Sequence, residues 1–301
     1  MRFATIVTPS GPRLHVRGRS GYVDVAAESG NPDFADLTTL LRAGPAGADA
    51  ARALAHRDGR EYGPGDLGPA VPRPTRILCL GVNYTEHALE GGREVPTFPE
   101  TFVRGAGSVL APYGDLVRPA LTERFDFEGE LGIVIGAGGR YIPAGKALDA
   151  IAGFVVLNDA TARDWQRAGT QWTPGKNFEG SMPVGPEVVT TDEASVTDAA
   201  LTTTLNGQVM QSARTSQMIV DVPSAVEFFS SFTRLVPGDV IATGTPGGVG
   251  FARKPPVWLL PGDVIEVTID GVGTIRNRVV AEAGAPADWR WRPPGALKPG
   301  L

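Results

Sequence analysis

The sequence predicts a mixed α+β protein that is rich in β-strand, with a small N-terminal α/β domain before a larger β-rich domain. Glycine (39 residues) and proline (26) are abundant and aromatic residues make up only 7%, which is typical of many turns and short strands. Short apolar runs separated by turn residues recur from residue 76 onward, and a Gly/Pro-rich stretch at residues 63–74 precedes them. We therefore predict a small domain over residues 1–72, a larger domain over residues 73–283 and an irregular tail over residues 284–301.

The N-terminal part shows short apolar runs followed by two helical patterns. Residues 3–8, 14–16 and 22–26 predict strands that pair with one another, and residues 36–41 and 48–56 predict helices. The linker GPGDLGPAVPRP at residues 63–74 then interrupts regular structure.

The larger domain consists mainly of predicted strands. Pro-Gly-Asp turns introduce two of them, since each such turn is followed by an apolar run. A helix is predicted at residues 224–232, with Pro223 at its start, and the proline-rich tail from Asp288, with Trp289 and Trp291, predicts no regular element. The predicted strands cover residues 77–81, 125–135, 151–157, 201–205, 240–243 and 264–269.

Charge and cysteine content exclude several classes of protein. The net charge of −5 is mild and no block of like charge stands out, so we expect no nucleic-acid partner and no membrane partner. No stretch approaches the roughly 20 apolar residues of a membrane span, and the N-terminus does not look like a signal peptide. The single cysteine, Cys79, lies in an apolar run and is expected to be buried and inert. The chain is expected to be cytoplasmic.

An acidic segment, FDFEGEL, lies inside the strand predicted at residues 125–135. Alternate side chains of a strand share a face, so Asp126, Glu128 and Glu130 are predicted to point one way and the apolar residues the other. Neighbouring carboxylates on one face can converge on a cation. An ordinary solvated strand face is the alternative.

A second polar segment follows the strand predicted at residues 151–157. If a helix begins near Asn158, then Asp159, Arg163 and Gln166 fall at i, i+4 and i+7 on one helix face. A carboxylate, an anion-binding guanidinium and an amide would then face one point. The alternative is a helix-capping aspartate with an i,i+4 ion pair.

A third segment places His87 and Glu90 at i, i+3, where they can touch on a helical turn. A carboxylate beside an imidazole orients it and raises its basicity, as a general base requires. A structural His–Glu pair is the alternative. The other two histidines, His15 and His56, lie in the N-terminal part beside arginines and are expected at the surface.

Two glycine-containing segments could expose backbone N–H groups to an anion. One contains Lys176 (GKNF) and the other covers residues 244–250 (GTPGGVG). Neither has the spacing of a phosphate loop, and the glycines at residues 136–139 lack the dinucleotide-binding spacing, so nucleotide binding is rejected.

The order of these segments resembles the fumarylacetoacetate hydrolase superfamily. The motifs are G-x-N-Y-x-x-H-x-x-E, E-x-E-L, N-D-x-x-x-R-D-x-Q, G-K-x-F, P-x-G-P and P-G-D-V-I-x-T-G-T-P-x-G-V-G, all between residues 76 and 280. The likeness is closest to the bacterial catabolic branch with acylpyruvate hydrolases and hydroxymuconate isomerases and decarboxylases.

The resemblance implies a β-roll with strands curled around a metal, a homodimer, and a role for each motif residue. Glu128, Glu130 and Asp159 match the metal ligands, and three carboxylates without soft ligands suit Mg²⁺ or Mn²⁺, with Ca²⁺ possible. His87 and Glu90 match the dyad that activates water or moves protons, and Lys176 matches a lysine near the substrate carboxylate or oxyanion. The positions that match the substrate site are Arg163, Gln166, Gly244 and Thr245.

The resemblance also implies a function with alternatives. The first expectation is a metal-dependent hydrolase that cleaves a C–C bond in a small acylpyruvate or 1,3-diketo acid through an enolate. The second is an isomerase or decarboxylase of a 2-hydroxy-dienoate or oxo-dicarboxylate, of the 5-carboxymethyl-2-hydroxymuconate or oxaloacetate type. The third is a non-catalytic ligand-binding homologue. Residues 90–102 are predicted to form a mobile lid over a small keto-acid substrate.

Overall fold

Seventeen strands and eight α-helices make up residues 1–284 of the computed structural model, which is the part of the chain that the structure describes. The strands are β1 (Arg2–Thr8), β2 (Gly11–Arg17), β3 (Tyr22–Asp24), β4 (Ile77–Gly81), β5 (Glu100–Arg104), β6 (Val109–Leu110), β7 (Leu116–Arg118), β8 (Phe125–Asp126), β9 (Gly129–Ile135), β10 (Ile151–Asn158), β11 (Thr161–Ala162), β12 (Met182–Val189), β13 (Ala200–Leu205), β14 (Gln208–Arg214), β15 (Val240–Ala242), β16 (Val264–Ile269) and β17 (Gly273–Ala281). The helices are α1 (Val25–Ser29), α2 (Leu37–Arg42), α3 (Pro45–Leu54), α4 (Thr85–Glu90), α5 (Ala147–Ala150), α6 (Arg163–Gln166), α7 (Thr173–Lys176) and α8 (Val222–Phe232).

A ten-stranded mixed sheet forms the centre of the molecule. Its order is β3-β2-β1-β12-β10-β9-β15-β4-β5, with β6 attached to β12. Strand β9 is buried along its whole length, as a strand covered on both faces should be. Because β9 pairs with β10 on one side and with β15 on the other, the ends of these three strands are held side by side.

The N-terminal strands continue this central sheet. Arg2 and Phe3 of β1 pair with Val189 and Val188 of β12, so strands β1–β3 form one end of the sheet. Helices α1–α3 cover this end through buried apolar side chains such as Leu37. The division at residue 72 stays a prediction, and the sheet runs across it.

A five-stranded sheet, in the order β14-β13-β16-β17-β7, packs over the central sheet. Leu201 and Val267 from this sheet share one apolar cluster with Leu131 and Val156 from the central sheet. The two sheets and the helices around them confirm the predicted mixed, β-rich class.

Helix starts follow the local capping chemistry that the sequence carries. Asp36 accepts hydrogen bonds from the backbone at the start of α2, and Asp221 does the same at the start of α8, where Pro223 also lies in the first turn. These two helices were predicted within a few residues. The strand predicted at residues 22–26 ends at Asp24, because Asp24 caps helix α1.

The prediction of one continuous strand over residues 125–135 is wrong, because the chain forms two strands, β8 and β9, separated by residues 127 and 128. Strand β8 pairs with β11 in a separate two-stranded sheet, and β9 pairs with β10 and β15 in the central sheet. Between them, the Phe127 N–H donates to the Asp126 carboxylate (2.8 Å) and the Glu128 N–H donates to the Asn158 side chain (3.0 Å). Side-chain oxygens accept these two N–H groups in place of backbone carbonyls, so the strand is interrupted at residues 127 and 128.

The helix predicted to begin near Asn158 is also wrong. Strand β10 continues through Asn158 because that residue still pairs with Gly129, and helix α6 begins only at Arg163. The predicted tail at residues 284–301 lies outside the described residues except for Gly284. Within residues 1–284, no helix has both the length and the apolar character needed to cross a membrane.

Candidate active site

Three carboxylates meet where strands β9 and β10 pair. Glu128, Glu130 and Asp159 are buried, and one oxygen from each lies within 4.8 Å of the others. The antiparallel register brings Leu157 opposite Glu130, and the Asp159 N–H donates to the Glu128 carbonyl (2.8 Å). Strand pairing thus assembles an acidic triad from two stretches that are 30 residues apart in sequence.

Cations compensate two of the three acids. The Lys176 Nζ lies 2.6 Å from Glu128 Oε2 and 2.6 Å from Asp159 Oδ2. Arg163 Nη2 lies 2.7 Å from Glu128 Oε1, and Arg104 contacts the other oxygen of Asp159. Within residues 1–284, the Glu130 side chain forms no ion pair, and the one hydrogen bond that its carboxylate accepts comes from the Gly244 N–H (2.9 Å).

The electrostatics of the triad fit a bound cation. Burial and the neighbouring Asp159 and Glu128 carboxylates raise the pKa of Glu130 well above its ordinary value. Burial has the same effect on Glu128, but Lys176 and Arg163 outweigh it and lower the Glu128 pKa to about 2. A buried carboxylate with no cationic partner is costly, and three hard oxygen ligands are what Mg²⁺ and Mn²⁺ prefer. The triad could therefore hold such an ion.

Asp126 supports the triad from outside. The sequence placed it on one face with Glu128 and Glu130, but the break after β8 turns it towards Arg163, whose Nε donates to it at 2.8 Å. The N–H groups of Gly250 and Phe251 also donate to Asp126, at 2.8 and 3.0 Å. Asp126 is thus the counter-ion of Arg163 and fixes the start of the Phe251 turn.

Arg163 and Gln166 come together although no helix joins them to Asp159. Both lie on the four-residue helix α6, and Arg163 Nη1 donates to Gln166 Oε1 at 3.0 Å. Arg163 reaches the triad through Glu128. The convergence predicted for Asp159, Arg163 and Gln166 is therefore present, but β10, β11 and α6 produce it together.

The His87–Glu90 pair lies on helix α4, as predicted. His87 Nδ1 is 2.8 Å from Glu90 Oε1, and the Gly248 N–H donates to Glu90 Oε2 at 2.7 Å. A proton on Nδ1 that donates to Glu90 leaves Nε2 with a free lone pair, which is the form that a general base needs. The imidazole also meets the Phe251 ring edge-on, with centroids 6.3 Å apart.

His87 and two members of the triad, Glu128 and Glu130, line one cavity of about 240 Å³. Aromatic side chains form part of its wall: Phe102 and Trp172 contact each other with centroids 5.5 Å apart, and Phe251 lies on another part of the lining. The polar side chains that line it are His87, Arg93, Glu128, Glu130, Arg163, Gln166, Arg167, Lys176 and Thr245.

The glycine-rich loop at residues 244–250 is bonded to the triad. The Gly244 N–H donates to the Glu130 carboxylate. Thr245 Oγ1 donates to the Gly129 carbonyl (3.0 Å) and accepts a hydrogen bond from Gln211 Nε2 (2.7 Å). Gln211 Oε1 in turn accepts from the Gly129 N–H (3.0 Å). Thr245 lines the cavity, whereas substrate binding by Gly244 stays a prediction.

Gly129 has to be a glycine at this position. A Cβ added there would lie 2.2 Å from Thr203 Oγ1, and Thr203 is fully buried. The glycine therefore allows strand β9 to approach strand β13 between the two glutamates of the triad.

Several residues with roles in this site were not found from the sequence. Arg104 lies on β5, 55 residues before its partner Asp159, and no local pattern signals that contact. Gln211 is a buried polar residue on β14, and only strand alternation could have suggested its inward direction. Arg167 directly follows the predicted Gln166, and Phe251 directly follows the predicted glycine loop.

Three further predictions have different outcomes. Cys79 is fully buried as expected, and burial raises the pKa of its thiol. His15, expected at the surface, is buried at 2% exposure because its strand β2 lies inside the central sheet. In the segment predicted as a lid, residues 100–102 belong to strand β5 and pair with β4, so only residues 91–99 lack regular pairing. Closure of that segment stays a prediction.

Comparisons with known proteins agree with this architecture. Residues 76–280 match the family model of the fumarylacetoacetate (FAA) hydrolase C-terminal domain. The mitochondrial oxaloacetate tautomerase FAHD2A of Bos taurus is 42% identical over 213 residues, which are 70% of this chain and 68% of that protein. A solved fumarylacetoacetate hydrolase from Exiguobacterium antarcticum aligns with a TM-score of 0.81 at 33% identity, over 94% of this chain and 100% of that one. A solved maleylpyruvate hydrolase from Sphingobium sp. SYK-6, in complex with manganese(II) and pyruvate, aligns with a TM-score of 0.73 at 29% identity, over 93% of this chain and 99% of that one.

Proposed function

Because the chain belongs to the fumarylacetoacetate hydrolase family, we propose that it is a metal-dependent enzyme that interconverts the keto and enol forms of a small 2-oxo dicarboxylic acid of the oxaloacetate class. One observation carries this proposal: His87 of the acid–base pair lines the same cavity of about 240 Å³ as Glu128 and Glu130 of the acidic triad. That space suits a compact acid, and keto–enol conversion requires only one proton to move. The 42% identity to an oxaloacetate tautomerase supports the same reaction.

We propose that the triad binds the metal. Glu128, Glu130 and Asp159 would hold Mg²⁺ or Mn²⁺, and that ion would supply electrophilic stabilisation of negative charge on the 2-oxo oxygen. Lys176 lies against two of these carboxylates and adds positive charge beside the same oxygen.

His87 is the group that would move the proton. Its Nε2 would take a proton from the carbon next to the 2-oxo group and would return it to the same carbon or to the oxygen. Glu90, which accepts a hydrogen bond from the Gly248 N–H, holds the imidazole in one orientation, and its carboxylate would stabilise the imidazolium that forms. Arg163 and Gln166, which also line the cavity, would orient the inner carboxylate of the substrate.

The test is the decay of the ultraviolet absorbance of enol-oxaloacetate, measured with and without Mg²⁺. We expect a protein-dependent and Mg²⁺-dependent acceleration that a His87→Asn variant reduces by roughly 10²- to 10⁴-fold. His56→Asn is the matched control, since His56 is an exposed histidine of the N-terminal part and should leave the rate unchanged. No acceleration over buffer by the wild-type protein would contradict the proposal.

A second candidate is C–C bond hydrolysis of an acylpyruvate, the reaction first expected from the sequence. It is favoured by the dyad, which could equally take a proton from water, and by the likeness to a maleylpyruvate hydrolase. Loss of the diketone absorbance of acetylpyruvate with release of pyruvate would favour it. Release of CO₂ from oxaloacetate would favour decarboxylation, and a spectral shift of a hydroxymuconate without loss of carbon would favour the isomerase alternative. A homodimer and a cytoplasmic location stay predictions.

A further inference from the structure

Four cationic side chains line the active-site cavity, and three of them have an acidic partner. Lys176 contacts Glu128 and Asp159, Arg163 contacts Asp126 and Glu128, and Arg93 contacts Glu100. Arg167 is different: within residues 1–284 no carboxylate lies within ion-pair distance of its guanidinium, which donates no hydrogen bond there. Arg167 is therefore the cation of the cavity lining whose charge no carboxylate of residues 1–284 compensates.

The position of Arg167 is fixed by stacking. Its guanidinium carbon lies 4.4 Å from the centroid of the Phe251 ring, and the guanidinium carbon of Arg163 lies 4.5 Å from the same ring. The N–H of Phe251 donates to the Asp126 carboxylate (3.0 Å), which anchors the ring. A guanidinium that lies on an aromatic face keeps the N–H groups at its edge free for a carboxylate.

The surroundings of Arg167 favour an anion there. Partial burial lowers its pKa, and the neighbouring Arg163 and Arg124 lower it further by repulsion. An anion bound at its edge would relieve that repulsion. At the inner end of the cavity, by contrast, Arg163 and Lys176 are each already paired with Glu128.

We propose that Arg167, stacked on Phe251, binds the distal carboxylate of the substrate and thereby selects 2-oxo dicarboxylic acids over monocarboxylic ones. The inference rests on the proposed function for the inner end of the substrate, where the triad, Arg163 and Gln166 would hold the 2-oxo acid group. It adds that the Arg167 guanidinium, which can donate two parallel hydrogen bonds, recognises the second carboxylate of the substrate.

The test uses two ligands that differ only at the distal end. Malate and 2-hydroxybutanoate both have four carbons and a 2-hydroxy acid group, but malate ends in a carboxylate and 2-hydroxybutanoate ends in a methyl group. Neither can enolise, so calorimetry on the Mn²⁺-loaded protein measures binding without turnover. We expect the wild-type protein to prefer malate and Arg167→Met to weaken malate binding by about 10- to 100-fold, with 2-hydroxybutanoate unchanged. Methionine keeps an apolar contact with Phe251.

Arg124→Met is the matched control, because Arg124 is an exposed neighbouring arginine that does not line the cavity. Because it acts on Arg167 only by repulsion and does not line the cavity, it should keep the preference for malate and lose much less malate affinity than Arg167→Met. Equal binding of the two acids by the wild-type protein, equal losses for both in Arg167→Met, or the same loss in Arg124→Met would overturn the proposal. If the malate preference depends on Arg167 but oxaloacetate is not tautomerised, then the proposed function fails while the carboxylate subsite stands.

Discussion

Replacing Glu130 with glutamine separates the metal-binding role of the triad from its structural role. Glu130 is the member of the triad with no ion pair among residues 1–284, and it accepts one hydrogen bond, from Gly244. A glutamine has nearly the same shape and can still accept that bond through its amide oxygen. Its NH₂ group could donate to the neighbouring carboxylates, so the substitution turns a repulsion into an attraction.

The size of the effect follows from the distances in the triad. Two unit charges at the 4.8 Å limit repel by about 3 kcal/mol at an effective dielectric constant of about 20, and Glu130 has two such neighbours. Lys176 offsets part of this repulsion. We therefore expect Glu130→Gln to make the metal-free protein more stable, by about 1–3 kcal/mol at neutral pH, although it replaces a buried polar residue.

The same substitution should remove the response to metal. A ligand that binds only the folded state adds about 2.7 kcal/mol of stability when its free concentration is about 100 times its dissociation constant. Urea unfolding of wild-type protein should therefore shift to higher urea with Mn²⁺ and back with a chelator, whereas Glu130→Gln should shift little. Glu90→Gln, which lies outside the triad, should keep the full shift. A Glu130→Gln protein that is less stable without metal and fully stabilised by Mn²⁺ would refute the reasoning.

Two other substitutions test the supports of the fold. Asp126→Asn should destabilise the protein by about 3 kcal/mol in urea unfolding, because it removes one of the two buried carboxylates that compensate Arg163 and leaves only Glu128, which Lys176 shares; an unchanged midpoint would contradict that role. Burial lowers the pKa of His15 below its ordinary value of 6.5, so the unfolded chain binds more protons than the folded chain once the pH falls below 6.5. Stability should thus be complete above that pH and decline below it, and His15→Phe, measured over the same pH range, should remove that part of the decline; identical slopes in the two proteins would count against it.

Local patterns found those features of the site that depend on neighbouring residues. Strand alternation put Glu128 and Glu130 within reach of one ion, and helical spacing joined His87 to Glu90. Alternation failed at Asp126, because it assumes an unbroken ladder, whereas side-chain hydrogen bonds replace the ladder at Phe127 and Glu128. The sequence alone does not reveal such a break.

Local sequence patterns did not predict the contacts between segments that are distant in sequence. Lys176 was assigned only through the resemblance to a family, since nothing near it in sequence shows that it meets Glu128. The contact of Arg104 with Asp159 depends on β5 pairing with β4, in a sheet whose order no local pattern specified. The N-terminal strands were likewise found as strands, but their pairing with β12 was not foreseen. His15 was expected at the surface because arginines lie beside it, and the central position of its strand overrides that local signal.

The charges around the triad connect the proposed metal with the proposed substrate. The inner cluster holds four carboxylates and three cations, namely Glu128, Glu130, Asp159, Asp126, Lys176, Arg163 and Arg104, so its net charge is −1 when every group is ionised, as metal binding requires of Glu130. A divalent cation would change this to +1, which the inner carboxylate of one 2-oxo acid balances. A monocarboxylic acid would therefore leave Arg167 without a counter-ion at the outer wall. A dicarboxylic acid would compensate both ends at once, and for this reason we expect the cavity to favour a dianion.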